Sequence, residues 1–145
     1  MKRILVIEDN VEVRENLSEI LELYGYSVEE AVNGKEGVEK ALAAPPDLIL
    51  CDVMMPELDG YGVLKILSQK DTTLGIPFIF LTAKTEREDL RRGMNLGADD
   101  YLTKPIYKDE LLEVVQQRLA KQERLKRQFT QTSTQFTAFI AEARG

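Results

Sequence analysis

The sequence predicts an α/β fold, a doubly wound parallel sheet with helices on both faces. Two observations predict it. Short apolar runs recur along the chain, and between them apolar residues fall at helical spacing, so strand and helix alternate. Each run also ends in a polar residue, which suits strands buried on both faces whose carboxyl ends open into one crevice.

Ile4 to Ile7 is the first run, and it ends in the acidic pair Glu8-Asp9. Val13, Leu17, Ile20, Leu21 and Tyr24 then recur at helical spacing, with Asp9 or Asn10 as the cap and Gly25 as the stop. Ser27 to Val32 is a weaker strand. Asn33-Gly34 turns it into a helix that buries Val38, Ala41 and Leu42, and Pro45-Pro46 ends that helix. Leu48 to Cys51 is the next buried run, closed by Asp52, and a turn-rich segment ending in Asp59-Gly60 leads to a helix with Val63, Leu64 and Leu67 inward.

Ile76-Pro77 enters the fourth strand, Phe78 to Leu81, which Thr82-Ala83 closes; proline is tolerated at a strand's first residue. Glu86 to Leu96 predicts a charged helix with only Leu90, Met94 and Leu96 to bury, hence a loosely held one. Ala98 to Thr103 is a short fifth strand carrying Tyr101, with Lys104-Pro105 at its end. Lys108 starts a last helix that turns Leu111, Leu112, Val115 and Leu119 inward. Right-handed crossovers then bring all five carboxyl ends to one edge, which gathers Glu8, Asp9, Asp52, Thr82 and Lys104. Periodicity leaves the strand order open.

Composition narrows the function. A chain of 145 residues, 43% of them hydrophobic, supplies one domain and a short appendage. A formal charge of -6 argues against an electrostatic grip on nucleic acid or an anionic membrane. With neither a bilayer-length apolar run nor a signal-peptide pattern, the expected compartment is the cytoplasm. The single Cys51 excludes an internal disulfide and a thiolate cluster, and its place within a strand reads as a small buried hydrophobe. There is no histidine, which excludes histidine catalysis, histidine metal ligation and a phosphohistidine on this chain.

Carboxylates crowded into one crevice raise each other's pKa unless a cation intervenes. Mg2+, or Mn2+ in its place, fits such a site: it prefers oxygen ligands, takes one or two carboxylates and leaves a position for phosphate. Lys104 supplies an ammonium for an anion and Thr82 a hydroxyl donor, and Asp52 becomes a nucleophile for a phosphoryl group. Each residue also has a plain structural role open to it, as surface lysine, strand-end hydroxyl or helix-start acid. The conjunction favours the chemistry.

The chain resembles the receiver domain of bacterial response regulators of two-component systems. The resemblance rests on Glu8-Asp9, on Asp52 with Met54-Met55-Pro56 and Asp59-Gly60, on Thr82-Ala83, and on Gly97 to Leu102 with Lys104-Pro105. It implies a flavodoxin-like sheet of order 2-1-3-4-5 over residues 1–121, with residues 122–145 as a helical extension or linker. It makes Asp52 the phosphoacceptor, and Glu8, Asp9, Asp52 and the backbone carbonyl of Met54 the metal ligands. It makes Thr82 and Lys104 the phosphate partners, Tyr101 the switch aromatic, and the Lys104-Pro105 bond cis. The implied donor is a sensor histidine kinase or phosphotransfer protein acting in trans, and the implied output face is the fourth helix, fifth strand and fifth helix.

Two other functions compete. One is a phosphorylation-independent adaptor of the same fold. The other is a magnesium-dependent aspartyl phosphatase, which would want its nucleophile after the first strand and a second Asp two residues on, where Met54 stands. A dinucleotide site fails because Gly60 and Gly62 lack a third glycine and do not directly follow a strand.

From Gln122 acids become sparse, and Lys121, Arg124, Lys126 and Arg127 form a basic cluster. Leu125, Phe129, Thr132, Phe136, Phe139 and Ala143 then keep a four-three spacing, one narrow seam on a continuing helix, although the threonines weaken helix propensity. Two readings are open: a seam for self-association or docking, and a linker toward an output domain. A homodimer is expected through that seam or through the output face.

Overall fold

A computed structural model describes the backbone of residues 1–83 and 87–144, and the side chains of those residues as far as Phe129. The elements alternate as the apolar runs predict: β1 (Arg3–Ile7), α1 (Val11–Leu23), β2 (Ser27–Ala31), α2 (Gly34–Ala43), β3 (Leu48–Asp52), α3 (Gly60–Ser68), β4 (Phe78–Thr82), α4 (Arg87–Asn95), β5 (Asp100–Thr103) and α5 (Lys108–Arg144). The strands pair in parallel in the order β2-β1-β3-β4-β5. This is the doubly wound, flavodoxin-like sheet.

Two-residue alternation along each strand divides the core. Leu5, Ile7, Ile49, Cys51, Phe78 and Phe80 pack on the face that carries α2 and α3, whereas Ile4, Val6, Leu48, Leu50, Ile79 and Leu81 pack on the face beneath α1 and α5. Runs of consecutive apolar residues follow directly, since both faces exclude water. β3 and β4 are buried at every residue, which puts Asp52 and Thr82 at the ends of the driest strands.

Local signals start and stop the helices. Asn10, Asn33 and Asp59 cap α1, α2 and α3 by accepting the backbone N–H of Val13, Glu36 and Gly62. Gly25, at φ +93°, leaves α1 in the left-handed conformation that an L side chain resists.

Three details differ from the sequence reading. Leu42 is 38% exposed, because the inward stripe of α2 runs through Gly34, Gly37 and Ala41. Met94 and Leu96 are exposed as well: the inward position of α4 belongs to Gly93, whose added Cβ would stand 2.9 Å from the Phe80 ring. β5 begins at Asp100 because Gly97, at φ +105°, and Ala98, whose N–H donates to the Gly93 carbonyl, still terminate α4. Glu86 lies outside the described residues, as do the side chains of the seam positions Thr132, Phe136, Phe139 and Ala143. One unbroken helix, α5, spans the composition change at Gln122.

Candidate functional site

Parallel pairing sets the strand ends side by side, and the loops beyond them hold the charged groups. Glu8 follows β1 and is fully buried, Asp9 beside it is exposed, and Asp52 closes β3 at 4% exposure. One carboxylate oxygen from each lies within 4.8 Å of the others. Lys104, beyond β5, reaches in from the far side: its Nζ stands 2.6 Å from Glu8 Oε1 and 3.2 Å from Asp52 Oδ1. The Lys104-Pro105 peptide is cis.

The electrostatics follow from burial. Desolvation pushes the Glu8 carboxyl up to about 7, against the opposing pull of Lys104 and with added repulsion from Asp52. Burial also raises Asp52, and Lys104 opposes that shift. For Lys104 burial works downward, but its bonds and attraction to Glu8 and Asp52 outweigh it, and its pKa rises. The ammonium is the one side-chain cation ion-paired to this cluster among the described residues.

A divalent cation fits the donor set. The ligand atoms are all carboxylate oxygens, the choice of a hard ion, and the lone thiol, Cys51, is buried with its Sγ directed to the Asp52 carbonyl oxygen. Glu8 Oε1 and Asp52 Oδ1 both turn toward Lys104 Nζ, so the pocket already seats one cation among its carboxylate oxygens. Met54 lies in the β3–α3 loop with its side chain 59% exposed, clear of the core.

The loop after β3 is shaped by its motif residues. Asp59 caps α3, Gly60 N–H donates to the Val53 carbonyl at 2.9 Å, and a Cβ on Gly60 would meet the Asp52 carbonyl oxygen at 2.4 Å. Only glycine lets α3 start so close beneath the acid.

Thr82 and Tyr101 share the other face of the sheet. Tyr101 is the β5 register partner of Phe80 and Thr103 that of Thr82, so two-residue alternation aims Thr82 and Tyr101 the same way. They line a narrow hollow of about 10 Å³ together with Val53, Tyr61, Phe80 and the inner side of α4. Tyr101 is 38% exposed at its mouth.

Two residues escaped the sequence reading. Arg14 is buried on α1, where its Nη1 donates to the Glu8 carbonyl at 2.8 Å and its Nε to Glu30 at 2.9 Å, fixing the acidic loop from behind. Its signal was a charge three residues before Leu17, on the inward stripe. Tyr61 lies edge-on to Phe80, donates its hydroxyl to the Asp89 carbonyl at 3.3 Å, and carries the Arg92 guanidinium 4.4 Å over its ring. Sequence spacing puts Tyr61 at the start of α3 but says nothing of α4.

Fold and acidic pocket together define a signalling receiver module. The chain belongs to the response regulator receiver domain family, whose model matches residues 4–116. It is 40% identical over 125 residues to the DNA-binding dual master transcriptional regulator RpaA of Synechocystis, 86% of this chain and 52% of that protein. It is 38% identical over 120 residues to Protein PilH of Pseudomonas aeruginosa, 83% of this chain and 99% of that one. The chain thus spans about half the length of several curated relatives, as with RpaA, and nearly all of PilH. Among solved structures, chemotaxis protein CheY4 of Vibrio cholerae superposes at a TM-score of 0.78 with 32% identity, over 81% of this chain and 98% of that one. A CheY-like receiver from Methanospirillum hungatei gives 0.80 with 31% identity, over 86% and 98%. Receivers of this family serve two-component signalling alongside sensor histidine kinases.

Proposed function

We propose that the chain is a phosphorylation-activated receiver in which Asp52 accepts a phosphoryl group from a phosphohistidine on another protein. The observation that supports this best is the convergence of Lys104 and Glu8 on Asp52 at one sheet edge. An Asp52 carboxylate oxygen bonds to phosphorus as the bond from phosphorus to the donor imidazole nitrogen breaks, and the electron pair leaves with the imidazole. A bound Mg2+ or Mn2+, held by Glu8, Asp9, Asp52 and the Met54 carbonyl, would neutralise charge on the phosphoryl oxygens. Lys104 turns from its carboxylate partners to a phosphoryl oxygen, and Thr82 donates its hydroxyl to another. With no histidine in the chain, the donor is a histidine kinase or phosphotransfer protein in trans.

Movement of Thr82 toward the phosphate enlarges the hollow it shares with Tyr101, and Tyr101 turns inward to fill it. α4 is the element that responds: Gly93 is its buried residue, and its outer face is charged. The effect is a shift of population between two packings of α4, β5 and α5, read by a partner or an output domain. Among the described residues no helix is long and apolar enough to cross a membrane, and the net charge of -6 disfavours direct contact with nucleic acid. A cytoplasmic setting suits both.

Incubation with acetyl phosphate and Mg2+ tests the reading. It should add one phosphoryl group to the chain, detected by intact mass, and none to Asp52→Asn. Absence of labelling under these conditions favours the adaptor, and turnover of many equivalents favours the phosphatase.

A further inference from the structure

The hollow that Tyr101 turns toward is smaller than the ring it has to take. It measures about 10 Å³, room for roughly one water, and a phenol ring is several times larger than a water. Thr82, in turning to a phosphate, gives up only the space of a hydroxyl and a methyl group. A wall of the hollow must therefore move as well.

Three of the walls are fixed. Val53 follows β3 and Phe80 lies within β4, and both are buried. Tyr61 belongs to the first turn of α3, which the Asp59 cap and the close seat of Gly60 against the Asp52 carbonyl pin to the end of β3. The remaining wall is α4, through Asp89, Leu90, Gly93 and Met94. Its apolar hold is slight: Gly93 is its buried residue, seated on the Phe80 ring with the Tyr61 ring beside it.

Tyr61 supplies what that apolar contact lacks. Its hydroxyl donates to the Asp89 carbonyl at 3.3 Å, and the Arg92 guanidinium stands 4.4 Å over its ring. The edge-on contact with Phe80, 5.2 Å between ring centroids, keeps the ring itself in place. Both contacts to α4 last only while α4 lies close. We infer that Tyr61 is a clamp on α4 that opposes the inward turn of Tyr101, and so sets how much of the unphosphorylated chain already occupies the switched packing. The inference rests on the reading of Thr82 and Tyr101 given above, and it adds to that reading a residue of α3, outside the face formed by α4, β5 and α5.

The contacts set the size of the effect. One net hydrogen bond is worth roughly a two- to tenfold change in an equilibrium, and a cation over an aromatic ring at an open site roughly two- to fivefold. Changes of that order shift the population of a minor packing without unfolding the sheet. Releasing the clamp therefore raises the switched fraction severalfold while β3 and β4 stay as they are.

Fluorine NMR of the 145-residue chain carrying 3-fluorotyrosine at its five tyrosines tests the clamp, with Tyr101→Phe identifying the Tyr101 signal. Acetyl phosphate and Mg2+ should move that signal in the unaltered chain, intact mass reporting the phosphoryl group. In unphosphorylated Tyr61→Phe, which keeps the ring, the signal should already lie part of the way to the same position, the ratio of the two packings having risen roughly two- to tenfold. Arg92→Met keeps the aliphatic stem, removes the charge, and should move the signal the same way. A residue that merely supports the fold would lower stability and leave the Tyr101 signal where it was. A signal that phosphorylation moves and Tyr61→Phe does not overturns the clamp and leaves the reading of Tyr101 standing. A signal unmoved in a chain whose mass shows the phosphoryl group, or a chain that takes no such group, overturns that reading and the clamp with it.

Discussion

The Lys104 ammonium stands 2.6 Å from Glu8 Oε1, a buried carboxylate oxygen. Removing the cation leaves Glu8 and Asp52 to repel each other in a dry site. Lys104→Ala should therefore lose about 1–3 kcal/mol of stability in metal-free urea titrations above pH 7. Under acid conditions, where the carboxyls hold protons, the loss should be smaller.

A second prediction concerns pH. The Glu8 carboxyl sits at about 7 when folded, against 4.5 for the free group, because burial favours its neutral form. Between these values the folded chain binds more protons than the unfolded one, so this group's contribution to stability is full below 4.5 and is lost as pH rises through about 7. A cation competes with that proton. Mg2+ affinity, followed by thermal shift or calorimetry, should climb as pH passes about 7 and flatten above it, and Glu8→Gln should remove most of the climb.

Arg14 ties the acidic loop to β2, donating to the Glu8 carbonyl on one side and to the Glu30 carboxylate on the other. Arg14→Met keeps the aliphatic stem of the side chain and removes its donors, so the loop loses its anchor. Mg2+ affinity should fall on the order of tenfold. Retention of full affinity would show that the loop holds its shape unaided.

Gly60→Ala places a methyl group 2.4 Å from the Asp52 carbonyl oxygen, and backbone does not yield as a side-chain tip does. The cost should be about 1–3 kcal/mol of stability by denaturant unfolding. Phosphorylation by acetyl phosphate should slow, because the shift falls on the residue that carries the nucleophile.

Tyr61→Phe keeps the edge-on contact with Phe80 and deletes the bond to the Asp89 carbonyl. About 0.5–1.5 kcal/mol of α4 anchoring should go with it. Amide exchange in Arg87–Asn95 should quicken while β3 and β4 stay protected.

What the sequence determined by itself was whatever depends on neighbours along the chain. Runs such as Ile4 to Ile7 and Phe78 to Leu81 declare strands because continuous apolarity needs two covered faces, and capping at Asn10, Asn33 and Asp59 is settled within three residues. Polar residues at the run ends named Glu8, Asp9, Asp52, Thr82 and Lys104 as candidates, and parallel connection alone sends them to one edge. The tertiary structure decided what depends on distant partners: that Lys104 pairs with Glu8 as well as Asp52, that Arg14 supports Glu8, and that Gly93 rather than Met94 seats α4. It also decided that Tyr61 of α3 reaches α4. None of these is a property of spacing, because each is set by which surfaces meet across the sheet, and period and propensity carry no information about that.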